Sequence, residues 1–275
     1  MLARSQLTSL GFTVAPDARH PFGTGNCCVL FKNGTYLEPI TILDRAAADM
    51  AAAEGGFFVR RVKRFTERIG EGFAMLALKS EDAERDNEAF EQAGLSAGDV
   101  FRFSRPAALP DGSEAAMGVA LAYLDDKDAP DATFFACQHF APDLLFQPTF
   151  IEHANGSEGV ASVTAVAEQP AEFHRLIATA TGQSDFRPGP EGLDAALGDQ
   201  RLSVLDPAGF RARYGQDAPN PREGLRLAAF EVLVADVDRA IGYAGPTAQR
   251  HEGLIVVPPA PGLGAVLAFR ARENG

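Results

Sequence analysis

One local order dominates this chain: a strand, a helix, then three strands, and it recurs. The clearest copy opens at residues 72–79, a short, bounded apolar run that reads as a buried strand. Ser80, Glu81 and Asp82 mark a helix start, because acidic groups in a first turn complement the helix dipole. That helix runs to about Ala93 and stops at Gly94, a residue suited to the left-handed cap. Residues 100–104 alternate apolar and polar, as a half-buried strand does. Asp111-Gly112 is a tight-turn signal, and residues 117–124 and 133–140 supply the last two strands.

The order returns twice downstream. Residues 160–167 form a strand, Gln169-Pro170 opens a helix that ends at Gly182, and short strands follow at 193–196 and 201–205. A fourth unit has a strand at 225–234, a short helix at 237–243, and strands at 253–257 and 265–270. The first unit starts with its helix, residues 2–10, stopped by Gly11. Strands follow near 12–15, 26–32 and 36–43, with Asn33-Gly34 as the hairpin turn. Its opening strand is missing, which would leave a bare sheet edge that proteins seldom tolerate. Another strand is expected to cover the gap, from sequence upstream of Met1 or from a second copy of the chain. A homodimer is therefore one expectation. Between the first two units, residues 44–53 form an alanine-rich helix.

Composition narrows the function. The 46% apolar and 23% charged fractions are those of a folded globular protein. With 37 acidic against 25 basic residues, the net charge of −12 repels nucleic acid on average. The densest basic cluster, Arg60, Arg61, Lys63, Arg64 and Arg68, reads as the polar face of a helix or ribbon. No window is long and apolar enough for a membrane span. Three cysteines and no signal-peptide pattern point to the cytoplasm. Cys27 and Cys28, adjacent on a strand, face opposite ways and read as small core residues. Phosphate-loop, dinucleotide, zinc-finger and nucleophile-elbow motifs do not occur.

Local sequence adds a resemblance. Leu10-Gly11-Phe12-Thr13-Val14, the loop from Arg19 through His20, Pro21 and Phe22 to Asn26, and Tyr36-Leu37-Glu38-Pro39-Ile40 are similar to the first unit of the vicinal oxygen chelate superfamily, in its glyoxalase-like branch. Phe134 to His139 and His153-Ala154-Asn155-Gly156 resemble its second half. The likeness spans residues 4–180 and continues beyond only through strand order. It implies an α+β fold in which pairs of βαβββ modules form cupped mixed sheets, with ligand or metal on the hollow face. Four units then imply two pairs, at residues 1–156 and 157–275, forming two cups or one cup plus a degenerate companion.

The family's metal chemistry implies one divalent ion (Fe, Mn, Ni or Zn) held by His and Glu, with open positions for a substrate. Glu38 stands where a fourth-strand glutamate ligand would stand, and Gln138 or His139 occupies the matching place in the second unit. The usual first histidine lies on the missing strand, and Ser162 fills the equivalent position in the third unit. A carboxylate on the apolar strand around Glu38 is costly to bury unless paired or metal-bound; the bland alternative turns it to solvent. His139 points into the cup or bonds a backbone carbonyl at the strand end. Arg19 and His20 either reach over the cup mouth toward substrate or sit in an exposed loop. His153 reads as structural. The expected metal ligands are Glu38 and His139, the catalytic groups Glu38 and His20, and the substrate contacts Arg19, Gln138 and Ser162. Three functions fit: a metal-dependent lyase, isomerase or dioxygenase for a small oxygen-rich molecule, a metal-free small-molecule binder of the antibiotic-sequestering type, or a structural role in which the cups support a dimer.

Overall fold

In the computed structural model, which describes residues 2–108, 114–183, 186–189, 192–221 and 223–272, strand pairing realises the repeated order. In the second unit Met75–Lys79 is followed by the helix Ala83–Gln92, then Phe101–Ala108, Glu114–Tyr123 and Thr133–His139. The opening strand pairs parallel with the closing one, Met75 opposite Thr133 and Lys79 opposite Cys137. The closing strand and its two predecessors are antiparallel neighbours. Asp82 caps the helix by accepting from the Arg85 amide at 3.2 Å, and Gly94 takes a φ of 65° just beyond it. The Asp111-Gly112 turn lies outside the described residues.

The third and fourth units merge into one eight-stranded sheet. Their opening strands, Ser157–Val166 and Arg226–Val234, run antiparallel at its centre, with Ser162 opposite Glu231. Each pairs on its other side, in parallel, with its own unit's closing strand, Gln200–Leu205 or Val266–Ala271. Two edge strands, Arg187–Gly189 and Gln249–His251, extend the expected set. So does a helix, Pro207–Tyr214, started by Asp206, which accepts from the Gly209 amide at 2.6 Å. Phe210 and Tyr214 on this helix are fully buried against Val166, Leu254 and Val256 of the sheet.

The first unit has its helix, Leu2–Ser9, and then only short strand pieces. Thr24–Asn26 pairs with Ala18–Arg19 and Ile40–Ile42, and Val29–Leu30 pairs with Tyr36–Leu37. The expected covering strand is not found among the described residues. Among the described residues, Met75–Lys79 pairs only with Thr133–His139 and no strand pairs with the far side of residues 36–42. Between these two edges lies a slot of about 1340 Å³.

One apolar cluster runs through both pairs of units. Phe12 and Phe31 from the first, Phe134 from the second, Ala165 from the third and Phe269 from the fourth belong to one buried cluster. Burying each such Phe removes it from water for about 1.5–3 kcal/mol. His153 ties this core to the first unit. Its Nδ1 accepts from the Thr13 amide at 3.0 Å, and its Nε2 lies 3.0 Å from the Leu30 carbonyl. Those partners require a neutral ring with the proton on Nε2. The basic cluster forms the polar face of the helix Phe57–Arg68, with Arg60, Arg64 and Arg68 exposed; Arg61 alone is buried, at 7% exposed, and donates to Thr133 Oγ1 at 2.7 Å, while Arg68 reaches from the surface to buried Asp131 at 3.1 Å.

Candidate functional site

Strand alternation sends every second side chain to the same face. On the second unit that face carries Phe101, Phe103, Val119, Leu121, Tyr123, Phe135, Cys137 and His139, and all of them line one cavity. The first unit closes it with Phe22, Asn26, Cys28, Tyr36 and Glu38, and the inserted helix Phe57–Arg68 adds Phe58. The cavity measures about 80 Å³. Tyr36, Glu38, Phe58, Phe135, Cys137 and His139 border the slot as well, so the two spaces meet at Glu38.

His20 reaches this wall through a tight turn. Its amide donates to the Thr24 carbonyl at 2.8 Å and its Nδ1 lies 2.8 Å from Thr24 Oγ1. Gly23 makes the turn with a φ of 83°, and a Cβ there would sit 2.6 Å from the Ala48 nitrogen and the Asp44 carbonyl oxygen. The ring stacks on Phe22 at 5.1 Å and meets Phe103 edge-on at 5.6 Å. Asn26 stands between the polar groups. Its amide nitrogen donates to Glu38 Oε1 and lies 3.4 Å from His20 Nε2. With Nδ1–H donating to Thr24, Nε2 is the acceptor of the ring, so both amide protons are used.

The walls lower the polarity of the site. Burial lowers the pKa of His139 and favours its neutral ring. Burial, reinforced by the Glu38 charge, pushes the Cys137 thiol up to about 12, so it is not a thiolate at neutral pH. Tyr36, which bonds Cys137, and Tyr123 are both raised well above the ordinary phenol value, first by burial. Glu38 is thus the one carboxylate among the described residues lining the cavity.

The structure brings Glu38, His20 and His139 to one cavity. It places the other candidates elsewhere. Gln138 has the opposite parity to His139 and turns to the helix side, accepting from the Ala83 amide at 3.2 Å and donating to the Glu81 carbonyl at 2.6 Å. Arg19 is exposed and does not line the cavity. Ser162 is buried in the eight-stranded sheet opposite Glu231, away from the cavity but bordering the slot, and its hydroxyl has no partner among the described residues. Asn26, Tyr36, Tyr123 and Cys137 are the additional site residues. The same alternation that selects His139 would have found Cys137 and Tyr123.

The donor set does not suit a resident divalent ion. A cation bridging His20 Nε2 and Glu38 Oε1 would occupy the place of the Asn26 NH₂ group, which already bonds that carboxylate. Among the described residues no group of three or more His, Cys, Asp and Glu is arranged to hold a metal.

Comparison with known proteins agrees with the fold. A family model described as "Glyoxalase-like domain" matches residues 2–181. No curated protein matches the chain. A hypothetical protein from Staphylococcus aureus of known structure superimposes with a TM-score of 0.65 at 12% identity, over 95% of this chain and 91% of its own. A xylose isomerase-like TIM barrel/4-hydroxyphenylpyruvate dioxygenase fusion protein superimposes with a TM-score of 0.50 at 11% identity, over 100% of this chain and 48% of its own. Such low identities carry the fold and not the chemistry. Among the described residues, no helix is long and apolar enough to cross a membrane.

Proposed function

Because this chain belongs to the glyoxalase-like domain family of the vicinal oxygen chelate superfamily, we propose that its first pair of units, residues 1–156, is a small-molecule site that works without a metal, and that residues 157–275 support it. The observation that carries this reading is the Asn26 amide bonded to Glu38 within an aromatic-walled cavity. Phe and Tyr side chains supply apolar contact, and Glu38 is the polar anchor, accepting a proton or a hydrogen bond from the ligand. His20 steadies that end through Asn26, and neutral His139 is a second hydrogen-bonding group on the opposite wall. Filling of the second pair by Phe210 and Tyr214 supports giving it the structural role. Three buried free thiols, Cys27, Cys28 and Cys137, fit a cytoplasmic setting.

The test is a thermal-shift screen of small neutral aromatic molecules against the purified chain. A ligand present at about 100 times its Kd adds about 2.7 kcal/mol, a shift of several degrees. Glu38→Gln should reduce that shift for the best ligand. A screen that moves the wild type and Glu38→Gln alike would sink the reading.

The second reading, a metal-dependent lyase, isomerase or dioxygenase, draws support from one observation: His20, Glu38 and His139 line the same cavity. The fusion protein is named for a dioxygenase, which points the same way for that protein. Metal analysis separates the two. Near-stoichiometric Fe, Mn, Ni or Zn, lost in Glu38→Ala, favours the metal enzyme; metal-free protein that still binds ligand favours the first reading.

A further inference from the structure

Among the described residues, two polar atoms in the first cup have no hydrogen-bond partner: the Tyr123 hydroxyl and Asn26 Oδ1. Both residues are almost wholly buried, at 3% and 4% exposed, and both line the cavity that holds Glu38. Buried polar groups left unpaired cost stability, and folded proteins rarely keep them without use. Tyr123 is held in place by Phe57 at 5.1 Å and Phe135 at 5.0 Å between ring centres. Asn26 has its nitrogen committed to Glu38 and facing His20, which leaves the oxygen as its open acceptor. The cavity therefore offers one O–H donor, one neutral acceptor and one anionic acceptor.

We infer that the cavity recognises a neutral carboxamide-type head. This rests on the reading of the first cup as a small-molecule site and names what that site selects. The carbonyl oxygen of the head accepts from the Tyr123 hydroxyl, and its N–H donates to Asn26 Oδ1 or to Glu38. A carboxylate head is disfavoured because it would bring a second negative charge beside Glu38 in a low-dielectric pocket. A cavity of about 80 Å³ admits only a head of a few heavy atoms. The rest of the ligand runs into the slot past Tyr36 and His139, which border both spaces.

The experiment titrates the full chain by calorimetry with benzamide, N,N-dimethylbenzamide, benzoate and toluene, and repeats the series on Tyr123→Phe. Benzamide is expected to bind about tenfold or more tightly than the dimethyl compound or benzoate. Tyr123→Phe should weaken benzamide about tenfold, leave toluene unchanged, and melt no lower than wild type when empty. A melting point several degrees lower in Tyr123→Phe would show that the hydroxyl is structural and overturn the inference. So would equal benzamide affinity in the two proteins, or a preference for benzoate. If toluene binds but benzamide gains nothing over it, only this inference fails. If no probe binds, toluene included, the small-molecule reading of the cup fails with it.

Discussion

The side-chain nitrogen of Asn26 lies 3.4 Å from His20 Nε2 and donates to Glu38 Oε1, so one amide couples the imidazole to the carboxylate. The coupling crosses the first unit's hairpins: Asn26 pairs with Ile40 across the sheet, two residues from Glu38. An uncharged donor thus stands between two potential metal ligands.

Replacing that donor by an acceptor should reverse the preference. Asn26→Asp places a second carboxylate beside Glu38 and His20, an oxygen-and-imidazole set that suits Ni(II) or Mn(II). The variant is expected to bind Ni(II) at least tenfold more tightly than wild type in calorimetry. Equal affinities would mean that the amide is not what keeps a cation out.

Stability should fall in mild acid, and His153 is one cause. Burial lowers its pKa, and the Thr13 amide needs its Nδ1 unprotonated. The unfolded ring titrates near pH 6.5. Below that, the unfolded chain binds a proton that the folded chain resists, so stability is full above about pH 6.5 and is lost as pH falls toward the folded value. His139 shifts in the same direction, again through burial. Urea midpoints should therefore be lower at pH 5.5 than at pH 7.5. His153→Asn should cost about 1–3 kcal/mol at pH 7.5 and flatten part of the slope.

Most of the second to fourth units was readable in the sequence because each opens on a compact apolar strand, and the helices of the second and third close with a glycine, Gly94 or Gly182. That Glu38 and His139 face a hollow was readable because each is a polar group on an apolar strand; His20 lies in a loop and was singled out only through the family resemblance. Gln138 was misleading because it neighbours His139, yet neighbours on a strand face opposite ways. Asn26 gave no signal of its own; its role comes from a contact twelve residues away in sequence. The helix Pro207–Tyr214 carried a legible start in Asp206-Pro207, but its place against the second sheet depends on tertiary packing of Phe210 and Tyr214.

That helix also holds the partner of a buried charge. Glu231 is 0% exposed, accepts from Arg213 at 2.7 Å and from the Tyr214 hydroxyl at 3.0 Å, and lies 3.7 Å from Arg270. Arg213→Met removes the nearer of the carboxylate's two cations, leaving the more distant Arg270, and should cost about 3 kcal/mol in urea unfolding. Adding Glu231→Leu to that variant should recover most of the loss. A double variant no more stable than Arg213→Met would show that the charge is not the source of the cost.

Hydrogen exchange should be uneven along Met75–Lys79. Amides bonded to Thr133–His139 should be protected, and those turned to the slot should exchange far faster. The corresponding central strand Ser157–Val166, paired on both sides, should be protected throughout. Uniform protection of Met75–Lys79 would mean that the slot is filled in solution.

The slot also changes how Glu38 is reached. Tyr36, Glu38 and His139 face the cavity on one side and this gap on the other, so the carboxylate has two approaches rather than the single mouth of a closed bowl. A bulky side chain set in the gap would then narrow that doorway for arrival and departure alike while leaving the other open.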